Sequence, residues 1–150
     1  MTVRIQTEDF DVGLLLNQLR LANPGAGALV SFVGQVRDIN DGDSISTLTL
    51  EHYPGMTESA LAAIKAEAST RWDLMDSLII HRVGTLKPLD QIVLVAVLSA
   101  HRGEAFKACE FMMDYLKTQA PFWKKEITPE GARWIDAKLS DDAALKRWNK

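Results

Sequence analysis

The sequence holds one cysteine, Cys109, so no internal disulfide framework can form and no Cys-x-x-Cys pair exists for zinc or redox work. Its three histidines, His52, His81 and His101, are scattered without metal-ligand spacing. Basic residues are not in excess: 17 Lys and Arg face 20 Asp and Glu, a net charge of -3. That balance argues against nonspecific nucleic-acid binding, which needs a basic face, and any basic site must be local. No segment approaches the roughly 20 apolar residues of a membrane span. The start, MTVRIQTEDFDVG, has no apolar core of signal-peptide length and carries Glu8, Asp9 and Asp11, so the cytosol is the expected compartment. Also missing are a Gly-rich phosphate loop, a carboxylate pair at catalytic spacing and a serine–histidine–acid arrangement.

What is present is the composition of a globular protein, 47% hydrophobic and 25% charged over 150 residues, which predicts one domain spanning 1–150 around one core. Val3 to Gln6 reads as a strand. Asp11 then precedes a helix carrying Leu14, Leu15, Leu16 and Leu19, ended by Asn23-Pro24-Gly25. Ala28 to Val36 and the alternating Ile45 to Tyr53 read as strands expected to pair across the polar loop Asp38 to Ser44. Thr57 and Glu58 open a helix with Ala60, Leu61, Ile64, Ala68 and Trp72 at helical spacing. Ser77 to Val83 and Gln91 to Ala100 follow as strands, the second so aliphatic that it is expected to be central and buried on both faces. A third helix runs from Arg102 to about Thr118, Pro121 stops it, and strands are expected at Phe122 to Ile127 and Arg133 to Ala137. From Asp141 a short surface helix is expected. The order βαββαββαββ, with hairpin-like links, predicts an α+β domain with a mixed or antiparallel sheet.

The third helix carries Ala105, Phe106, Cys109, Met112, Met113 and Leu116 on one stripe, which reads as core packing. Cys109 lies inside that stripe and is expected to be a small buried hydrophobe, since a reactive thiol needs exposure and positive surroundings. The two ends of the helix differ. Ser99-Ala100-His101-Arg102 puts a hydroxyl, an imidazole and a guanidinium at a helix amino terminus, where free N–H groups favour an anion; a plain N-cap beside a solvated arginine would look the same. At the other end Lys117 is followed by Pro121-Phe122-Trp123-Lys124-Lys125, lysines interleaved with aromatics, a pattern able to hold a flat heterocycle with negative substituents. Crowded lysines favour proton loss, which makes one of them a usable acid or base. Lys125 reads as a solvated strand lysine. Arg37, at the end of a strand, has the reach to enter a neighbouring pocket, whereas His52 and His81-Arg82 read as strand-end and surface features.

Taken together, Phe32-x-Gly34-x-Val36-Arg37, Leu50-Glu51-His52-Tyr53-Pro54-Gly55-Met56, Ser99-Ala100-His101-Arg102, Met113-Asp114-Tyr115-Leu116-Lys117-Thr118 and Ala120-Pro121-Phe122-Trp123-Lys124-Lys125-Glu126 resemble the molybdopterin synthase large-subunit family. The match runs from about residue 3 to 148. The resemblance implies a domain of the α/β hammerhead type and a sulfurtransferase that converts cyclic pyranopterin monophosphate into molybdopterin by inserting two sulfurs as a dithiolene. It implies a small ubiquitin-like partner carrying sulfur as a thiocarboxylate on its Gly-Gly tail, and a heterotetramer built on a homodimer of this chain. No metal or organic cofactor is implied. By matching motif, Lys117 and Lys124 are the expected catalytic pair, and Arg37, His101 and Arg102 are expected to bind the pterin and its phosphate. Lys138 is carried as a further substrate-binding position, at which related chains can have arginine.

Two other classes remain open at this point: a phosphoanion- or RNA-binding module without turnover, which the acidic balance disfavours, and a noncatalytic scaffold that docks a partner. One geometric expectation stands on the helix alone. Arg102 and Lys117 are fifteen positions apart, about 22 Å on a continuous helix, too far for one small substrate to touch both. Either the helix is broken, or two copies of the chain share each site.

Overall fold

The computed structural model describes residues 2–40, 42–135 and 139–148. In chain order the elements are β1 (Thr2–Gln6), α1 (Val12–Ala22), β2 (Ala28–Gln35), β3 (Ile39–Asn40), β4 (Asp43–Ser44), β5 (Thr47–His52), α2 (Met56–Arg71), β6 (Leu74–Arg82), β7 (Gly84–Leu86), β8 (Gln91–Ser99), α3 (Arg102–Gln119), β9 (Phe122–Thr128), β10 (Gly131–Ile135) and α4 (Leu139–Lys146). The mixed α+β class and the order of the longer elements agree with the sequence reading, to which the short β3, β4 and β7 are added.

Two four-stranded sheets organise the chain, one in the order β1-β6-β8-β2 and the other β10-β9-β5-β7. The first is mixed, because β1 runs parallel to β6 while β6 and β2 flank β8 antiparallel. The second is antiparallel throughout. The aliphatic β8 is central as expected, with Val93 to Leu98 all at or below 5% exposure. Its alternate side chains serve different layers. Val93, Val95 and Val97 join Ile79 under α2 and α3, where Leu61, Ile64, Ala108, Phe111, Met112 and Leu116 close the core. Leu94 and Ala96 point the other way with Leu78 and Ile80, against Phe10 and the Leu15, Leu16 and Leu19 side of α1. Leu14, part of the same apolar run, is 55% exposed.

The expected hairpin between Ala28–Val36 and Ile45–Tyr53 does not form. β2 pairs with β8, from Ala28↔Ser99 to Gln35↔Gln91, and β5 pairs with β7 and β9 in the other sheet. The reason lies in the faces. A strand buried on both sides needs a partner along each edge, and β8 takes β2 and β6, whereas β5 has only Leu48 and Leu50 to bury and does so with Val36 and Leu86 in a separate small core. The intervening segment folds on itself, β3 pairing with β4. Ile92 packs against both the large core and this small one, so the sheets meet at the start of β8.

On α3 the buried set is Ala105, Ala108, Cys109, Phe111, Met112, Met113 and Leu116. Phe106, expected within the stripe, is 60% exposed. The stripe leans the other way because that flank is covered: Phe111 makes edge contacts with Trp72 and Trp148. Trp148 in turn donates from its indole Nε1 to Asp114, 2.7 Å, and Arg147 pairs with Glu110, which holds the C-terminal segment on α3.

Candidate active site

Lys117 lies exposed in the last turn of α3, and Lys124 lies half-buried in β9. Ala120 leaves the helix with extended backbone, φ -78° and ψ 134°, the conformation that a following proline imposes. Phe122 then opens β9. The start of α2 fastens this turn, for the Thr57 hydroxyl accepts from the Tyr53 N–H, 2.9 Å, and donates to the Pro121 carbonyl, 3.0 Å. Thr57 is fully buried. Thr57, directly after the motif Leu50 to Met56, thus braces the strand carrying Lys124, and Gly55 within the motif sits at φ 85°, where a side chain would be strained.

Side chains alternate along β9. Phe122, Lys124 and Glu126 share the face that looks at the other layers, while Trp123 and Lys125 share the opposite one. Trp123 is 44% exposed beside Tyr53, and the Lys125 ammonium lies 5.6 Å from the centre of the Trp134 ring. Lys125 is thus half-buried against Trp134, on the face away from Lys124, rather than the solvated lysine read from the sequence. The Phe122 ring stacks on His81 at 3.8 Å between centroids and 17° between planes.

His81, taken as a surface feature from its sequence context, is 2% exposed. Burial pushes its imidazole down from 6.5 to about 4, against the raising effect of a hydrogen bond to the Arg82 carbonyl, while the charges of Lys124, His52 and Lys117 add to the lowering. Lys124, His52 and Lys117 therefore each lie within electrostatic reach of His81. His52 stands in register with Phe122 across β5 and β9. Nothing in the local sequence marks His81 as buried, because its cover arrives from the second sheet.

Arg37 reaches the same side. Its guanidinium donates to the Asn40 side chain, 2.9 Å, and the Asn40 amide bonds to Glu126, two residues past Lys124 on the same face. Glu126 is 3% exposed and also accepts from Arg133, 3.0 Å, which bonds the Asn40 carbonyl as well. Sequence reasoning passed over Asn40 and Glu126, whose only signal is that a carboxylate buried within a strand needs a partner.

His101 and Arg102 are placed elsewhere. They are exposed at the opposite end of α3, which runs unbroken through 18 residues, so about 22 Å of helix separates Arg102 from Lys117. Ser99, grouped with them in the sequence reading, is fully buried and donates to the Asp73 carbonyl, 2.8 Å. Met112 is fully buried, as its place on the core stripe predicts, and Phe32 is 38% exposed. Lys138 lies outside the described residues. Cys109 is 5% exposed, and burial pushes its thiol up to about 11, with Glu110 adding to the effect, which disfavours a thiolate.

The profile described as "MoaE protein" matches residues 5–119, most of the chain. The chain belongs to the MoaE family. Among MoaE relatives, the molybdopterin synthase catalytic subunit of Ralstonia nicotianae is 63% identical over 98% of this chain and 84% of its own length. A solved MoaE structure from Burkholderia ambifaria superposes with a TM-score of 0.85 at 59% identity, covering 99% of this chain and 98% of that one. A molybdopterin synthase structure from Staphylococcus aureus reaches 0.80 at 36% identity over 88% and 95%. The MoaE match begins in β1 and ends at the last residue of α3, so it contains Lys117, Arg37, His101 and Arg102, while Lys124 lies five residues beyond it.

Proposed function

We propose that this chain is the catalytic subunit of a molybdopterin synthase and acts as a sulfurtransferase, moving sulfur from the thiocarboxylate tail of a small ubiquitin-like partner onto cyclic pyranopterin monophosphate. The observation that carries the reading is the convergence of Lys117, Lys124 and His52 around His81, with Arg37 tied to the same face through Asn40 and Glu126. Such a cluster suits an anionic, flat substrate. Family membership supports the same chemistry, and one catalytic domain of residues 1–150 in the cytosol is the corresponding reading.

In this mechanism the thiocarboxylate sulfur attacks the pterin side chain, and water then cleaves the resulting thioester through a tetrahedral acyl intermediate, leaving the sulfur on the pterin and the partner's tail as a carboxylate. Lys117 moves protons or stabilises the tetrahedral acyl intermediate, and Lys124 offsets phosphate charge as the cyclic phosphate opens. Two sulfurs are needed per product, so a spent partner leaves and a fresh one docks, which suits the exposure of Lys117. Arg37, His101, Arg102 and Lys138 are assigned to the pterin and its phosphate. The unbroken α3 supports a homodimeric core of the heterotetramer in which His101 and Arg102 of one copy complete the lysine pocket of the other. The reading is tested by mixing the purified chain with thiocarboxylated partner and cyclic pterin. Molybdopterin is the expected product, and its absence with all components folded and bound would favour a noncatalytic docking role.

A further inference from the structure

The chain from Lys117 to Lys124 passes from a helix packed on the first sheet to a strand of the second, so the spacing of the two ammonium groups depends on how that turn is seated. Three contacts seat it: the Thr57 hydroxyl on the Pro121 carbonyl, the β5–β9 pairing that sets His52 opposite Phe122, and the stack of His81 on Phe122. The first two come from α2 and from the second sheet itself. The third comes from β6, in the first sheet, and so ties the strand of Lys124 to the layer on which the helix of Lys117 rests.

We propose that His81 is a positioning residue that acts through Phe122 to set where β9 delivers Lys124 relative to Lys117. The inference rests on the reading that these two lysines carry the chemistry. Its geometry is specific. The His81 Nδ1 lies 2.7 Å from the Arg82 carbonyl and donates to it, which fixes the tautomer and the plane of the ring. That plane is nearly parallel to the Phe122 ring. Phe122 and Lys124 are two apart on one strand face, so a shift or tilt of the ring is passed along the pleat to the lysine. The charged or titratable groups felt by the imidazole are Lys124 from β9, His52 from β5 and Lys117 from α3, all basic. An uncharged ring suits that place, because a positive charge on it would repel the two lysine ammonium groups.

Three variants in the complete enzyme with its sulfur-carrying partner separate this role from general packing. His81→Ala removes both the stack and the hydrogen bond, His81→Phe keeps a ring on Phe122, and His81→Asn keeps an N–H donor for the Arg82 carbonyl. His81→Ala is expected to lower kcat by about tenfold or more with KM for the cyclic pterin nearly unchanged, because a misplaced catalytic group costs rate rather than binding. His81→Phe should recover most of that loss, and His81→Asn should not. Unchanged kcat in His81→Ala, an effect confined to KM, or rescue by Asn and not by Phe would each overturn the proposal. Should His81→Ala fail to fold, Phe122→Leu takes its place: the same loss of kcat is expected, and normal kcat overturns the proposal. Lys124→Ala run beside them identifies which idea has failed, since normal turnover there removes the catalytic lysine itself and with it anything for His81 to position.

Discussion

The two ends of α3 carry cations of similar kind in unlike surroundings. At the C-terminal end the strand of Lys124 is stacked through Phe122 on His81, the turn leading into it is braced by Thr57, and Arg37 is tied to its Glu126 through Asn40. At the N-terminal end His101 and Arg102 project into solvent, and His101 caps the helix without using its side chain. Polar groups that a chain needs for its own stability are usually bonded within it. Exposed basic residues with no side-chain bond among the described residues, at a helix amino terminus where the dipole favours an anion, are better suited to something that arrives from outside. On the proposed reading, the difference separates a pocket built by one chain from an edge that finishes the pocket of a second copy.

The sharpest way to break the comparison is to remove the exposed lysine from the built end. Lys117→Ala is expected to lower dithiolene formation by about 10²-fold or more, the scale of a lost acid–base or charge-stabilising group, with little change in thermal melting because the side chain is exposed. Near-normal turnover would take Lys117 out of the mechanism.

A second effect, on stability, should come from acid. Folding holds the His81 imidazole near 4, while the unfolded chain titrates near 6.5. Above pH 6.5 both states are neutral there and nothing is lost. As pH falls from 6.5 to 4 the unfolded chain takes up a proton that the folded one refuses, and stability should drop by about 3 kcal/mol before levelling off. His81→Phe should flatten that limb in denaturant titrations across the window. An unchanged slope would mean that His81 is not held neutral by the fold.

The smallest effect is expected at Cys109, in the packed middle of α3 between the two ends. Cys109→Ala should remain active and lose about 1 kcal/mol in denaturant unfolding, from the lost burial. Loss of activity with the fold intact would bring a sulfur route through this thiol back into consideration.

The sequence shows the helices and most strands plainly because their signals are local. Asp11 before the leucine run caps α1, accepting from the Leu14 N–H at 3.0 Å, and Pro121 ends α3 near its expected place. Pairing is not local. The polar loop Asp38 to Ser44 looked like a hairpin connection, yet the double burial of β8 recruited β2 and left β5 to a second sheet. The site divides along the same line. Arg37, Lys117 and Lys124 are legible as cations at element ends, and the family resemblance assigns them roles. His81 is not, because its burial depends on Phe122 arriving from 41 positions away in another sheet. Glu126 and Asn40 are hidden for the same reason, since each is defined by partners distant in the chain.

The central claim, that each pocket takes the His101-Arg102 edge from a second copy, is tested most directly by mixing two inactive variants, Arg102→Ala and Lys117→Ala, under conditions that allow subunit exchange. In a mixed dimer one pocket would regain both side chains, so partial recovery of dithiolene formation is the expected result. No recovery, with exchange demonstrated independently, would contradict the claim and mean that each chain builds its own pocket despite the 18 residues of unbroken helix between the two ends.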